Sequence, residues 1–107
     1  MKRFGFLIRV DPGQVERYKE YHRKVWPEVL DAIRRSNIRN YSIFLKDDYL
    51  VGYYEYHGPD HAADMANIAA DPKTQEWWSI MMPMQRPLDT RRTGEWWAAM
   101  EEVFHCD

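Results

Sequence analysis

The stretch NYSIFLKDDYLVGYYEYH, residues 40–57, decides the fold, because it contains two alternating segments separated by a short polar turn. In residues 40–46 and again in residues 50–57, side chains alternate between two sets, which is the period of a β-strand with two different faces. Asp47 and Asp48 lie between these segments and favour a tight turn. The stretch therefore predicts an antiparallel β-hairpin in the middle of the chain.

A strand and a helical region precede the hairpin. Residues 2–10 alternate and predict a strand with a half-buried face. Asp11 and Pro12 then favour a helix start, since Asp accepts hydrogen bonds from free backbone N–H groups and Pro suits the first helical turn. Pro27 predicts a kink or a short break near Trp26. Intervals of three and four along the region predict one apolar helix face, made of Val15, Tyr18, His22, Val25, Trp26, Val29, Leu30 and Ile33.

The residues after the hairpin predict two short helices, a loop and a closing strand. Helices are expected over residues 60–70 and 71–81, the second opened by another Asp-Pro pair. Prolines, arginines and a glycine in residues 83–94 predict a loop. Residues 96–105 are ambiguous between helix and strand, and the strand is placed at their end, over residues 103–105.

The predicted order is strand, helix, strand, strand, helix, strand. This is the split βαβ or ferredoxin-like arrangement of an α+β protein, an antiparallel sheet with helices on one face, of the dimeric α/β-barrel type. The opposite sheet face would expose aromatic side chains, which predicts a homodimer. With no linker or internal repeat, we expect one domain over residues 1–107.

The composition argues against several classes of partner. The chain has 107 residues, 15 basic and 17 acidic side chains and no basic stripe, which argues against nucleic acid. No apolar run is long enough for a bilayer, so no membrane association is expected. The N-terminus lacks the pattern of a secretory signal, and Cys106 is the single cysteine, so we expect a cytoplasmic protein. Five Trp and seven Tyr are more than a small core needs and supply flat faces for stacking on sugars.

Tyr18 and His22 are the first candidates for chemistry. Their i, i+4 spacing puts them on the same helix face, pointing towards the sheet. Histidine suits proton transfer at neutral pH because its unperturbed pKa is about 6.5. The pattern alone is also explained by a buried histidine held by a hydrogen bond, which is the commoner case.

Aromatic residues elsewhere give further candidates. Trp77 and Trp78 diverge by about 100° on a helix, so one is expected in the core and the other at a cleft. Tyr41 either packs in the core with a solvated hydroxyl or binds a ligand. Trp96 and Trp97 are equally ambiguous.

Metal and nucleophile motifs are missing from the sequence. The remaining histidines are scattered, and Gly-Pro separates His57 from His61, so they do not form a helical ligand pair. No Ser-His-Asp signature and no Gly-rich phosphate loop occur. We therefore expect no metal site.

Several short motifs follow one another over nearly the whole chain, without large insertions. They are Tyr18-x-x-x-His22, Trp26-Pro27-Glu28, residues 40–45 (NYSIFL), Ala69-Ala70-Asp71-Pro72, Gln75-Glu76-Trp77-Trp78 and Glu101-Glu102-Val103-Phe104-His105. Together they resemble the L-rhamnose mutarotase family. The resemblance implies a ferredoxin-like domain that dimerises through its sheets. It also implies an isomerase of rhamnose catabolism that interconverts the α and β anomers of L-rhamnopyranose without a cofactor.

The resemblance also implies site residues. His22 corresponds to the catalytic histidine, Tyr18 and Tyr41 to the substrate-contacting tyrosines, and Trp77 and Trp78 to the tryptophan pair of the sugar site. Each position holds the residue type that the family has. For such an enzyme we hypothesise that His22 protonates the ring oxygen and recovers its proton on closure. Tyr18 then holds an adjacent hydroxyl or relays a proton.

Two other functions remain open from the sequence. Dimeric barrels of this type include cofactor-free and haem-degrading monooxygenases, and fold alone does not separate these activities. A non-catalytic sugar-binding module would use the same pocket without turnover. Only a mutarotase would accelerate exchange between the anomers of L-rhamnose.

Overall fold

Five strands and four α-helices make up the computed structural model, which describes residues 1–107. In chain order, the elements are β1 (Lys2–Val10), a 3₁₀ turn (Pro12–Gln14), α1 (Val15–Arg23), α2 (Pro27–Arg35), β2 (Ile38–Lys46), β3 (Tyr49–Tyr56), α3 (His61–Ala70), α4 (Pro72–Met81), a second 3₁₀ turn (Met82–Met84), β4 (Gln85–Arg86) and β5 (Ala98–Met100).

The strands form one antiparallel sheet in the order β2-β3-β1-β4, and β5 also pairs with β1. The predicted hairpin is present, with Lys46 opposite Tyr49 across the turn. Asp47 in this turn has φ 55°, a left-handed conformation that Asp tolerates better than most residues. The α+β class and the split βαβ order are therefore confirmed.

Pro27 divides the predicted helical region in two. Helix α1 ends at Arg23, and Trp26 is extended with ψ 134° before α2 begins at Pro27. An extended residue is expected here, because the proline ring disfavours helical geometry in the residue before it. The break turns Trp26 onto α4, where its ring lies edge-on to Trp77 at 5.2 Å between centroids.

All four helices contribute to the core on the same face of the sheet. One buried cluster joins Ile8, Val10 and Leu50 of the sheet to side chains of α1, α2 and α4. A second cluster joins Tyr54 and other strand residues to Ile68 of α3. Helices on one face were expected, and this is confirmed. None of the helices combines the length and apolarity needed to cross a membrane.

The fourth strand of the predicted arrangement differs from the expectation. Residues 83–94 were expected to be a loop, but they contain β4, in which Gln85 lies opposite Val10. The closing strand is β5 rather than residues 103–105, and residues 101–107 have no regular secondary structure. Residues 87–97 leave the sheet between the two short strands.

Strand β5 pairs with residues 5–7 of β1. Met100 lies opposite Gly5, and a Cβ at Gly5 would come within 3.2 Å of the Met100 side chain. Gly5 thus leaves space for the end of the Met100 side chain. Val103 and Phe104 have higher β-propensity but lie without a partner strand, 89% and 82% exposed. Propensity was therefore a poor guide to the position of this strand.

Candidate active site

A cavity of about 380 Å³ opens between the helix-covered face of the sheet, α1 and α4. Residues 96 and 97, at the end of the segment that leaves the sheet, close one side of it. The structure brings all the sequence-predicted site residues together in its wall, which is lined by Tyr18, His22, Tyr41, Ile43, Trp77, Trp78, Met81, Met82, Gln85, Trp96 and Trp97. The cavity is mostly apolar with a few polar atoms, as is typical of small-molecule sites.

Helix α1 presents Tyr18 and His22 to this cavity one turn apart. Their rings stack with centroids 4.3 Å apart and planes inclined by 27°. The edge of Trp77 packs against the His22 ring at 5.4 Å between centroids. The imidazole is therefore held between a phenol and an indole, so its orientation is fixed before any ligand binds.

The hydrogen bond of His22 determines its tautomer. Its Nδ1 lies 2.7 Å from the backbone carbonyl oxygen of Tyr18. A carbonyl oxygen only accepts hydrogen bonds, so Nδ1 carries the hydrogen and Nε2 of the neutral ring keeps a free lone pair. Burial lowers the pKa of His22 from its usual 6.5, and the backbone hydrogen bond opposes this only in part. At neutral pH the ring is a neutral base at Nε2.

Tyr18 is a protonated phenol. Only 4% of the residue is exposed, and this burial raises the pKa of Tyr18 to about 12, although a hydrogen bond from Gln85 acts in the opposite direction. The Gln85 Nε2 donates to the Tyr18 hydroxyl oxygen over 3.0 Å. The phenol oxygen is thus an acceptor towards Gln85, and its own hydrogen is available for another partner.

The tryptophan pair divides as the sequence predicted. Trp77 is 6% exposed and belongs to the main core cluster. Trp78 is 38% exposed and lies at the cavity opening. The adjacent positions on α4 therefore give one indole to the core and one to the cleft.

Tyr41 lies on β2 two residues before Ile43, and both line the cavity, as alternation along the strand predicts. The register with β3 shifts between Arg39 and Ser42, and Asn40 has φ 50°. Although 43% of Tyr41 is exposed, desolvation raises the pKa of its hydroxyl. Its ring packs against Tyr54 with centroids 5.5 Å apart.

The sequence reasoning missed several wall residues, of which Gln85 is the most informative. It lay in a predicted loop without a motif, and only the pairing of β4 with β1 places it under the cavity. Trp96 and Trp97 were noted but left ambiguous, and both line the cavity. Ile43, Met81 and Met82 carry the periodicity of ordinary core residues, so no sequence signal distinguished them.

No three His, Cys, Asp or Glu side chains gather closely enough to hold a metal ion. The other half-buried histidine, His61, lies away from the cavity. Its Nε2 is 2.7 Å from the Tyr54 hydroxyl, and its ring stacks on Phe4 with centroids 4.2 Å apart.

Comparison with known proteins identifies the family. A family model described as L-rhamnose mutarotase matches residues 3–106. An L-rhamnose mutarotase of Oceanobacillus iheyensis is 32% identical over an alignment of 115 residues that covers all of both chains. The chain belongs to the L-rhamnose mutarotase family. This confirms the resemblance and, with it, the function: an isomerase that interconverts aldose anomers. The monooxygenase and binding-module alternatives are not favoured.

Solved structures confirm the fold of this mutarotase-family chain. The L-rhamnose mutarotase of Formosa agariphila superposes with a TM-score of 0.79 at 23% identity, over 100% of both chains. The tetracenomycin F2 cyclase of Streptomyces glaucescens, a polyketide cyclase, superposes with a TM-score of 0.75 at 14% identity, over 100% of this chain and 98% of its own. At such low identities, the likeness concerns the fold alone.

Proposed function

We propose that His22 and Tyr18 together interconvert the anomers of L-rhamnopyranose, with His22 as the base and Tyr18 as the acid in ring opening. The observation that carries this proposal is that a neutral imidazole with a free Nε2 and a protonated phenol face one cavity, with their rings 4.3 Å apart. The sequence alone suggested His22 as the acid. A neutral ring that keeps its hydrogen on Nδ1 supports the opposite direction, because Nε2 then has no proton to give.

The reaction is balanced by two proton transfers. Nε2 of His22 takes the proton of the anomeric hydroxyl as the bond between C1 and the ring oxygen breaks. The electron pair of that bond goes to the ring oxygen, which takes the proton of Tyr18, and C1 becomes an aldehyde. After rotation about the C1–C2 bond, the ring oxygen attacks the other face of C1, its proton returns to Tyr18, and His22 returns its proton to the former carbonyl oxygen.

The stacked rings help this charge separation. Tyr18, with a pKa of about 12, is a poor acid when isolated. The positive charge that His22 gains lies directly against the Tyr18 ring and stabilises the transient phenolate, since charges a few ångströms apart interact strongly in a buried site.

The remaining wall fits a deoxy sugar. We propose that the exposed face of Trp78 lies against the apolar side of the pyranose, while Trp77 holds the His22 ring from within the core. The apolar side chains of Ile43 and Met81 accept the C6 methyl group, which a hydroxymethyl sugar lacks. Tyr41 at the opening contacts a sugar hydroxyl.

Saturation-transfer NMR on L-rhamnose tests the proposal. Saturating one anomeric proton signal should deplete the other much faster with the enzyme than without it. His22→Ala should lower this rate by about 10²–10⁴-fold, the usual contribution of general acid–base catalysis.

His61→Ala is the matched control, because His61 is also half-buried, stacked on an aromatic ring and depressed in pKa by burial. It should exchange the anomers at the parent rate. Parent-like exchange by His22→Ala would contradict the assignment. No acceleration by the parent chain would contradict the mutarotase function itself and leave a binding module.

We also propose that the chain acts as a homodimer in the cytoplasm. On the sheet face without helices, Phe44 lies opposite Val51, which lies opposite Leu7, and Phe44 is 64% exposed. An apolar row of this kind on a small protein supports burial against a second copy. A reducing compartment fits the single free cysteine, Cys106, since small secreted domains usually depend on disulfides.

A further inference from the structure

Beside the Tyr18 phenol, the cavity wall contains one buried polar side chain, Gln85. The buried polar residues of the chain are Ser36, Thr74 and Gln85, and of these only Gln85 lines the cavity. It is 5% exposed and lies on β4, opposite Val10. Burying an amide is unfavourable unless its oxygen and nitrogen are both hydrogen-bonded, so the partners of Gln85 define what it does.

Trp96 determines which way the Gln85 amide faces. The indole Nε1 lies 2.7 Å from Oε1 of Gln85, and an indole N–H can only donate. The amide oxygen must therefore face Trp96. The NH₂ group then faces Tyr18 and donates to its hydroxyl oxygen over 3.0 Å. The orientation follows from chemistry and does not depend on distinguishing nitrogen from oxygen.

The direction of this second hydrogen bond controls the proton of Tyr18. Because Gln85 donates, the phenol cannot donate back to the same nitrogen, so its hydrogen must point elsewhere. Gln85 is the protein group that hydrogen-bonds the Tyr18 hydroxyl, and Tyr18 lines the cavity, so a bound sugar is a partner for its hydrogen. A fixed donor direction avoids reorientation of the hydroxyl during the reaction.

We propose that Gln85, locked by Trp96, is a positioning residue that holds the Tyr18 hydroxyl as a hydrogen-bond donor aimed at the sugar. The inference rests on the proposed role of Tyr18 and extends it. It adds a chain of donors from Trp96 through Gln85 to Tyr18, which links the segment after β4 to the reacting groups on α1.

Gln85→Glu reverses the direction of the bond without changing the size of the side chain. A carboxylate still accepts from Trp96 but also accepts from Tyr18, so the phenol turns away from the sugar. The expected result at pH 8 is a kcat about tenfold lower, the loss of one hydrogen bond to the reacting group, with KM changed less than about threefold.

The pH dependence of kcat in this variant distinguishes a positioning role of Gln85 from a purely structural role. Burial raises the pKa of the introduced carboxyl, and once protonated it donates to Tyr18 as the amide does. The ratio of variant to parent kcat should therefore rise towards one as the pH falls from 8 to 5.5. Each kcat is first corrected for the His22 titration measured in the same protein, because the introduced carboxylate also raises the pKa of His22. A ratio that does not change with pH would overturn the proposal.

Gln85→Met and Gln75→Glu complete the test. The methionine variant keeps the side-chain volume but has no hydrogen-bond donor. Its kcat should be severalfold lower than that of the parent, and the ratio of the two should not change with pH. Gln75 is exposed on α4, where it donates only to the Ala69 carbonyl, so the same charge change there should leave exchange at the parent rate. If Gln85→Glu does not fold at pH 8, parent-like kcat in Gln85→Met overturns the proposal.

A readout without turnover keeps this inference separate from the mutarotase function. In ¹H–¹⁵N spectra, the Trp96 indole signal should move upfield in Gln85→Met, because its hydrogen bond is lost, and should stay downfield in Gln75→Glu. An unmoved indole signal overturns the network even if the parent enzyme is active. If the parent does not accelerate exchange, the function fails while the indole shift still tests the network.

Discussion

Adjacent tryptophans on α4 should respond oppositely to truncation, because one lies in the core and the other at the cavity opening. Trp77 is 6% exposed and has aromatic neighbours on three sides: Tyr21, His22 and Trp26, at 6.0, 5.4 and 5.2 Å between ring centroids. Trp78 is 38% exposed. The pair is an internal control, since both changes remove the same atoms from the same helix.

The structure sets the size of the difference in stability. Trp77→Ala should lower the free energy of unfolding by about 3–5 kcal/mol, as for other buried aromatic residues. That is a large part of the roughly 5–15 kcal/mol available to a small domain. Trp78→Ala should lower it by about 1–2 kcal/mol, because about a third of this side chain is already in water. Urea titration followed by far-ultraviolet circular dichroism measures both values.

The effect on exchange should have the opposite order. Losing the sugar-facing indole should raise KM for L-rhamnose by about 2–13-fold, which corresponds to roughly 0.5–1.5 kcal/mol of stacking energy. Trp77→Phe, which keeps a ring in the core, should leave KM near that of the parent. Saturation-transfer NMR at several sugar concentrations gives these constants. Equal stability losses in the two alanine variants, or an unchanged KM in Trp78→Ala, would refute the division of roles.

Two further predictions concern pH and assembly. The acid limb of kcat/KM should have an apparent pKa below 6.5, because burial lowers the pKa of His22 and the neutral ring is the proposed active form. More than half of the plateau value of kcat/KM should therefore remain at pH 6.5. Because the pKa of His22 is lower in the folded chain, the unfolded chain binds a proton at this residue more readily. The free energy of unfolding should therefore decrease as the pH drops below about 6.5 towards the pKa of His22 in the folded chain. An apparent pKa of kcat/KM above 6.5 would contradict both predictions. If the chain forms the proposed dimer, Phe44→Glu should be a monomer in light scattering after size-exclusion chromatography. Leu30→Glu, at a 53% exposed apolar position on α2, should keep the parent mass. A Phe44→Glu dimer would exclude the proposed interface.

The parts of the fold that sequence predicted well depend on neighbouring residues. The hairpin, the break at Pro27 and the Asp-Pro helix starts each follow from backbone chemistry within a few positions. The i, i+4 spacing likewise placed Tyr18 and His22 on one face. The proposal that they form a site, however, came from the family resemblance, because the pattern alone is more commonly explained by a buried histidine.

The features that the sequence did not reveal depend on strand pairing between distant segments of the chain. Gln85 becomes a wall residue only because it pairs with Val10 at the far end of β1. The position of β5 depends on its pairing with β1, more than 90 residues earlier in the chain, which no propensity scale contains. Each of these is a non-local contact that a one-dimensional pattern does not encode.

The small size of the domain has a consequence for how its specificity can change. Tyr18, Trp77 and Met81 line the cavity and also belong to the main core cluster, so the inner wall of the site is part of the core. Substitutions that change the shape of that wall therefore lower the free energy of unfolding by amounts comparable to its total value. Side chains at the opening, such as Trp78 and Met82, are 38% and 40% exposed and carry no such penalty. Acceptance of other L-sugars should therefore be altered by substitutions at the opening, while the proton-transfer groups stay fixed by the packing that also folds the chain.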